Sequence, residues 1–246
     1  MTEDSKDWVM AGRVEGGPFA GGGGGKQPFL EFRLLAEIAA GDRTRRYSHK
    51  VMVWDEEVIG RARPLVADGA WLTVRGRGRL DKTGSVRLNV NAQHGSVVAG
   101  EDGGVCNRET VVGTVMEDRL FFASPGKVPM LKFTVESRLS EGTRDITISS
   151  PVVVFGSPAV DLEGALGKGA RVRVEGPWSN RAAEKDSAGH ATRFVSELVI
   201  DAATGVVEIL EASKPKPRAS GGGLRHDAGS RRPSTESGRA RETADR

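Results

Sequence analysis

Residues 68–78 read DGAWLTVRGRG, and residues 168–178 read KGARVRVEGPW. In both segments a Gly-Ala pair is followed by apolar residues at every second position. This period of two predicts a β-strand with one buried face in each segment. Three positions recur at an offset of 100 residues: Gly69/Gly169, Val74/Val174 and Gly76/Gly176.

The repetition continues towards the N-terminus of each segment at an offset of 101 residues. The matching positions are Gly12/Gly113, Val14/Val115, Pro28/Pro129, Leu30/Leu131, Phe32/Phe133, Val53/Val154 and Trp54/Phe155. An almost constant offset over roughly 65 residues indicates two homologous copies of one structural unit. We therefore expect one domain at residues 5–100 and a second at residues 105–211, joined by AGEDGG.

Each copy is predicted to form three strands, a short helix and two further strands. The strands of the first copy are WVMAGRV (8–14), FLEFRLLAEI (29–38), YSHKVMVW (47–54), WLTVRGRGRL (71–80) and SVRLNVNAQ (85–93). A loop containing Gly21–Gly25 follows the first strand, and residues 56–69 have the length of a short helix. This order is typical of a five-stranded oligonucleotide-binding (OB) barrel, so we predict an all-β fold with two tandem OB barrels. Another small β-barrel is the alternative.

Charge is distributed unevenly along the chain. Residues 1–104 carry a net charge of +1, residues 105–213 a net charge of −3, and residues 214–246 a net charge of +5. Residues 212–246 are rich in Ser, Gly, Pro, Lys and Arg, and we predict that this basic tail is disordered. Because the two barrels are almost neutral, a nucleic-acid site on them requires a local basic patch.

The composition favours a soluble globular protein of the cytoplasm or nucleoid, with an organelle as the alternative. No run of 18 apolar residues is present, and the acidic start MTEDSKDWVM is unlike a secretion signal, so no membrane association is expected. Cys106 is the only cysteine, which excludes an intrachain disulfide and a zinc cluster of cysteines. The four histidines are far apart in the sequence, and we predict no metal, no cofactor and no enzymatic activity.

Four segments of the second copy form a recognisable series: NRETVVGTV (107–115), VVVFG (152–156), LGKGARVRVEG (166–176) and SAGHATRFVSELVI (187–200). In this order they resemble the bacterial-type single-stranded DNA-binding protein family. The first copy matches more loosely, through HKVMVW (49–54) and DGAWLTVRGRGRL (68–80). Two copies in one chain are similar to the tandem members of that family, in which a homodimer supplies four OB barrels.

The resemblance implies sequence-independent binding and protection of single-stranded DNA in replication, repair or recombination. Two departures stand against it. The third-strand tryptophan of the family is absent, since Ser48 and Ser149 lie near its position, and the chain ends in RRPSTESGRARETADR instead of an acidic end with a Pro-Phe tip. Two other functions stay open, an assembly module that mainly binds protein and an RNA-binding subunit of a larger complex. Protein partners are not predicted.

Basic residues at three places are candidates for phosphate contacts. Strand 71–80 puts three arginines on one face, the turn before the third strand carries another group, and the second copy supplies a third group that Glu175 dilutes. The candidates are Arg75, Arg77 and Arg79 with Arg87 on the next strand, then Arg43, Arg45 and Arg46, and finally Lys132, Arg171 and Arg173. A solvated sheet face or an exposed turn is the alternative interpretation of these residues.

Five aromatic residues are candidates for stacking on bases. Trp54 and Phe155 come first, because the resemblance implies that their position faces the DNA. Tyr47, Trp71 and Trp178 lie at strand ends or beside arginine, where a ring is able to cover the end of a barrel. Packing in the core is the alternative for each of them. Most of four further phenylalanines are predicted to fill the barrel interiors: Phe29, Phe32, Phe133 and Phe194.

Overall fold

The computed structural model describes residues 3–213, except for residues 24–25, 41–42, 118–119, 124–126, 142 and 188. Within these residues the chain forms fourteen β-strands and two short α-helices, which confirms the predicted all-β fold. The predicted disordered tail lies outside the described residues from residue 214 onward.

The first copy forms a closed barrel, which we call barrel 1. Its elements are β1 (Ser5–Gly23), β2 (Lys26–Ala40), β3 (Arg43–Val53), α1 (Glu56–Ala62), β4 (Trp71–Leu80), β5 (Val86–Val90) and β6 (Ser96–Ala99). The barrel closes in the order β1-β2-β3-β5-β4-β1, with a parallel pairing between β3 and β5 and antiparallel pairings elsewhere. The strand β6 extends the sheet beside β4. This is the arrangement of an OB barrel.

The second copy, barrel 2, repeats this arrangement. Its elements are β7 (Cys106–Val115), β8 (Leu120–Ala123), β9 (Pro129–Glu141), β10 (Arg144–Phe155), α2 (Ser157–Glu163), β11 (Arg171–Gly176), β12 (Trp178–Lys185), β13 (Ala191–Ile200) and β14 (Val206–Glu211). The strands β11 and β12 together take the place of β4, and Pro177, which has no amide hydrogen, separates them. The closing pairings are β7-β9, β9-β10, β10-β13, β13-β12 and β11-β7.

A repeated glycine marks the same close crossing of strands in each barrel. A Cβ atom on Gly12 would lie 2.1 Å from the carbonyl oxygen of Leu35, and one on Gly113 would lie 2.2 Å from that of Glu136. Leu35 and Glu136 are themselves 101 residues apart. The first strand therefore crosses the second at the same place in both barrels, where only glycine fits.

The helix α1 covers one end of barrel 1. The side chain of Asp55 caps it by accepting hydrogen bonds from the amides of Glu57 (3.0 Å) and Val58 (3.3 Å). Val58 and Ala62 are buried against the barrel. The helix ends at Ala62 and is shorter than the predicted segment 56–69, because Pro64 has no amide hydrogen with which to continue the helical hydrogen bonds.

Antiparallel pairing of β1 with β7 joins the two barrels, from Ser5 opposite Val112 to Ala11 opposite Cys106. The result is one six-stranded sheet in the order β6-β4-β1-β7-β11-β14. Both barrels therefore lie in a single compact unit. Because one sheet runs through both copies, the domain limits 5–100 and 105–211 stay a prediction.

Two local predictions were wrong. The first strand does not end at Val14, because it continues as an arm paired with β2, and Gly21 lies opposite Phe29 where a loop was expected. The second correction concerns the short strands β6, β8 and β14, which were not predicted because four to six residues carry too little periodicity. No helix among the described residues is long and apolar enough to span a membrane.

Candidate nucleic-acid interface

Three aromatic side chains form a row on the outside of barrel 1, and we call it the aromatic row. The ring centroids of Phe19 and Phe29 are 5.8 Å apart, and those of Phe29 and Trp54 are 5.6 Å apart. The ring planes are tilted by 49° and 48°, within the range of favourable aromatic contacts. Phe19, at the outer end, is 61% exposed.

The glycine-rich arm of β1 makes room for the middle ring. Gly21 lies opposite Phe29 in the pairing of β1 with β2. A Cβ atom on Gly21 would lie 2.3 Å from Cζ of Phe29, so the ring rests against the glycine backbone. A glycine here is therefore needed to keep Phe29 in line with its neighbours.

Trp54 is held in place at the inner end of the row. Its indole Nε1 donates a hydrogen bond to Oδ1 of Asn89 at 3.0 Å, and the amide of Asn89 donates to the carbonyl of Arg87 at 3.2 Å. Gln27 donates to the carbonyl of Trp54 at 3.2 Å. The indole is only half-buried, so a fixed ring remains accessible to a ligand.

A groove of about 630 Å³ begins at Trp54 and runs between barrel 1 and the ends of β9 and β10. Its lining includes Trp54, Arg79, Asn89 and His94 from barrel 1 and Glu141 and Arg144 from barrel 2. The aromatic row and a set of cations are therefore joined by one continuous depression.

The arginines of β4 share the outer face of the strand, because Val74, Gly76 and Gly78 between them are buried. All three are paired with carboxylates. Nε and Nη2 of Arg75 donate to Asp7 at 2.8 and 2.7 Å. Arg77 and Arg79 both donate to Oε1 of Glu141, at 3.1 and 2.6 Å. The charges of Arg75, Arg77 and Arg79, which we call the basic stripe, are thus largely neutralised in the folded chain.

The other basic candidates of barrel 1 follow the same pattern. Arg87 donates to Asp81 at 2.9 and 2.6 Å, and Arg45 donates to Asp201 of barrel 2 at 2.9 Å. Arg46 pairs with Glu15, and Arg43 is exposed at the start of β3. An incoming phosphate would have to exchange with these carboxylates.

The cations of barrel 2 are paired as well. Lys132 lies 2.7 Å from Glu197, Arg171 lies 2.6 Å from Asp4, and Arg173 lies 3.1 Å from Glu175. All three basic candidates of this barrel are therefore already engaged by carboxylates.

Barrel 2 has an equivalent of the aromatic row with different residues. Met130 lies opposite Phe122 on one side and opposite Phe155 on the other. These positions correspond, at the offset of 101, to those of Gly21, Phe29 and Trp54. Barrel 2 therefore presents two rings separated by a methionine, and Phe122 is 40% exposed.

Two predicted stacking residues are buried. Trp178 has no exposed surface, and its indole donates a hydrogen bond to Glu109 at the join between the barrels. Tyr47 lies on the same face of β3 as His49 and Val51, which is the buried face. Neither ring offers a face to a base, and we leave both out of the interface. Trp71 is half-buried on β4, apart from the aromatic row.

Sequence reasoning missed Phe19, Phe29 and Phe122. Of the four phenylalanines that were mostly expected inside the barrels, Phe32 and Phe133 are buried, whereas Phe29 and Phe194 are only half-buried. The signal was present, because Leu30 and Phe32 set the buried face of β2 and Phe29 has the opposite parity. Phe19 and Phe122 lie in an arm and a short strand that the sequence did not predict.

Residues 106–206, which span most of barrel 2, match the family described as the single-strand binding protein family. Barrel 2 carries the sequence pattern of that family. The resemblance noted in the sequence of this region is therefore confirmed.

Solved structures of similar fold extend the likeness to both barrels. The wild-type single-stranded DNA binding protein from Thermus aquaticus is 17% identical, with a TM-score of 0.62, and the match covers 90% of this chain and 98% of that one. A deletion mutant of the same protein gives 17% identity and a TM-score of 0.63, covering 88% and 97%. At this identity the likeness shows the fold. Comparison with curated protein sequences gave no match.

Proposed function

We propose that this chain binds single-stranded DNA with little regard to sequence, and that the aromatic row of barrel 1 is its main stacking surface. The row is the observation on which the proposal rests, because its rings are accessible, held in place and regularly spaced. Every base has a flat π-face, so stacking on such rings tolerates any sequence and contributes roughly 1–3 kcal/mol per base.

The comparisons support the same proposal. Barrel 2 carries the sequence pattern of the single-strand binding protein family, and the similar Thermus aquaticus structure is that of a single-stranded DNA binding protein. The expected role is protection of single strands during replication, repair or recombination. Binding, and not catalysis, is the activity we expect.

In the proposed path, bases stack from Phe19 to Trp54 and the strand then enters the groove. Arg79 and Arg144 line that groove, and Arg75, Arg77 and Arg87 lie on the neighbouring strands β4 and β5. Arg43 and Arg46 lie at the start of β3. Phosphate contacts from these residues predict an affinity that falls as salt rises.

Barrel 2 is proposed as the weaker binding surface. Phe122 and Phe155 flank Met130 in its row, and Lys132, Arg171 and Arg173 are each paired with a carboxylate. Fewer rings predict a smaller contribution to affinity. Trp71 stays a predicted contact on a separate part of the surface.

We also propose that two chains associate into a homodimer with four barrels. The outer face of the six-stranded sheet is the candidate surface, because β6 and β14 extend it beyond both barrels. Sedimentation equilibrium at several protein concentrations tests this directly. A single species with the 26.2 kDa mass of the monomer at all concentrations would contradict it.

An assembly module that binds protein is the second candidate function, and the pairing of the basic stripe with Asp7 and Glu141 favours it.

A fluorescence titration distinguishes DNA binding from the assembly module. The probe is a labelled oligo-dT of about 35 nucleotides, long enough for two OB folds at up to roughly 16 nucleotides each. We expect tight, salt-sensitive binding to this strand and weak binding to a duplex of equal length. Equal binding to both, or none, would favour the assembly module. An oligo-U strand in parallel reports any preference for RNA.

A further inference from the structure

A single carboxylate from barrel 2 sits among basic side chains of barrel 1. Oε1 of Glu141 accepts hydrogen bonds from Arg77 at 3.1 Å and from Arg79 at 2.6 Å. Nε2 of His94 lies 3.9 Å from the same oxygen. Three side chains on two segments of barrel 1 thus converge on one acceptor atom.

The cluster has more donors than this carboxylate satisfies. Nε of Arg77, Nε of Arg79 and Nδ1 of His94 are buried and have no hydrogen-bond partner. Buried polar atoms are almost always paired, so the two unsatisfied guanidinium N–H donors indicate a place where further acceptor atoms bind. A phosphate supplies several oxygens, and its geometry matches the two-pronged donor face of a guanidinium.

The charges at the cluster also favour an anion. Burial by itself would raise the pKa of Glu141. The hydrogen bond and the charge of Arg79, together with the charge of Arg77, have a larger opposite effect, so the pKa of Glu141 is lowered. Burial and the neighbouring Arg77 lower the pKa of His94 to about 4, so it is neutral at pH 7. Two guanidinium charges therefore face one carboxylate charge.

We propose that Arg77, Arg79 and His94 form a phosphate-binding site, in which the carboxylate of Glu141 takes the place of a phosphate while no DNA is bound. This proposal rests on the proposed function. Trp54 and Glu141 line the same groove, so a strand that stacks on Trp54 brings its next backbone phosphates towards the cluster. The phosphate then displaces the side chain of Glu141 and takes over its hydrogen bonds with Arg77 and Arg79.

Displacement makes Glu141 a built-in competitor of the DNA. Each strand that binds must break the two ion pairs of Glu141 before it gains the phosphate contact. Glu141 therefore lowers the affinity of the groove, and removing its charge should raise it. A purely structural ion pair between the barrels would affect only stability.

The test compares the full-length chain with Glu141→Gln by titration of labelled oligo-dT at several chloride concentrations. We expect Glu141→Gln to bind several-fold tighter, because no ion pair of residue 141 has to break before the phosphate contact forms. The number of phosphate contacts is the same in both proteins, so the salt dependence should change little. Adding Arg79→Gln to Glu141→Gln should remove the gain. Glu141→Asp keeps the charge on a shorter side chain, so its affinity should rise less than that of Glu141→Gln.

Glu184→Gln is the matched control for net charge. This variant also removes a carboxylate from an arginine, since Nη1 of Arg193 lies 3.1 Å from Oε1 of Glu184. That ion pair lies on the hairpin of β12 and β13, not in the cluster. If Glu184→Gln gains as much affinity as Glu141→Gln, the gain comes from net charge alone and the proposal is wrong. Thermal melting of each variant shows whether it is folded.

Two further results would overturn it. If the unaltered chain binds oligo-dT but folded Glu141→Gln binds equally well, the site is wrong while the proposed function stands. If inorganic phosphate at constant ionic strength binds the variant but the DNA affinity is unchanged, the cluster takes free phosphate only. Failure of the unaltered chain to bind any single strand would instead reject the proposed function.

Discussion

Trp8 and Glu109 occupy equivalent positions in the two barrels and lie directly opposite each other in the pairing of β1 with β7. They are 101 residues apart, which is the offset of the repeat, so the pseudo-twofold axis of the chain passes between them. Both side chains are completely buried. The join between the barrels is therefore symmetric in backbone and asymmetric in side chains.

The same asymmetry extends to the neighbouring positions of the join. Lys6 corresponds to Asn107, and His49 corresponds to Ser150. Lys6 donates to Ser150 at 2.7 Å, and Asn107 lies 3.4 Å from His49 across the same axis. Two copies of barrel 2 would bury Glu109 against Glu109, so the join fits one barrel of each kind.

Replacing Glu109 by Gln should destabilise the fold. The carboxylate of Glu109 accepts from the amide of Gly78 at 2.8 Å and from the indole of Trp178, and it lies 3.6 Å from Nζ of Lys6. Burial raises the pKa of Glu109 and lowers that of Lys6, while their mutual attraction opposes both shifts. Loss of one partner leaves a buried charge, and we expect a loss of about 3–5 kcal/mol in urea unfolding.

A double-mutant cycle provides the control for this ion pair. Lys6→Met combined with Glu109→Gln removes both charges, so it should recover part of the stability lost by Glu109→Gln alone. Strictly additive losses would show that Lys6 and Glu109 are not coupled.

His49 should make the protein sensitive to mild acid. Its Nε2 lies 3.1 Å from the carbonyl oxygen of Trp178, and its Nδ1 lies 3.2 Å from the amide nitrogen of Asn180. Burial, with a smaller effect of Arg33, lowers its pKa from 6.5 to about 4, although the carbonyl of Trp178 opposes the shift. A proton on Nδ1 would face the donor group of Asn180.

The sign of the pH effect follows from this lowered pKa. Below pH 6.5 His49 binds a proton in the unfolded chain but stays neutral in the folded chain. The contribution of His49 to the free energy of unfolding is therefore fully present above pH 6.5 and is lost as the pH falls towards 4. The full effect of this residue is about 3 kcal/mol. Urea unfolding between pH 7.5 and 4.5 should show the fall, and His49→Gln should reduce it, while His94 with its similarly lowered pKa accounts for a remainder. His190→Gln, at an exposed position, should leave the curve unchanged.

Both close-crossing glycines should resist substitution. Gly12→Ala and Gly113→Ala each place a methyl group within 2.2 Å of a backbone carbonyl oxygen, which only a shift of the strand relieves. We expect each to lower the free energy of unfolding by about 1–3 kcal/mol or more. Gly60→Ala in α1 is the control, because no atom lies within 4 Å of its added Cβ. That variant should gain about 0.5–1 kcal/mol.

The fold could be predicted from the sequence because the 101-residue repeat and the alternation of apolar and polar residues are visible within individual β-strands. The outward direction of Arg75, Arg77 and Arg79 was also predictable from parity. Their carboxylate partners were not, since Glu141 is 62 residues from Arg79 and reaches it only through the join between the barrels. The burial of Trp178 has the same cause, because β1 and β7 enclose it after folding.

The aromatic row offers the sharpest test of where bases stack, because barrel 2 supplies natural replacements. Phe19→Leu and Phe29→Met install the residues that barrel 2 carries at the equivalent positions, Leu120 and Met130, so both variants should fold. Each removes a ring, and we expect each to weaken oligo-dT binding by about 1–3 kcal/mol without changing the salt dependence.

Trp54→Phe should weaken binding less, because it keeps a ring and loses only the hydrogen bond to Asn89. The reverse change, Met130→Phe, should strengthen binding if barrel 2 takes part. Phe121→Leu is the control, since this ring is also exposed but points to the opposite face of β8 from Phe122. Unchanged affinity in Phe19→Leu and Phe29→Met, with a loss in Phe121→Leu, would move the stacking surface from barrel 1 to the edge of barrel 2.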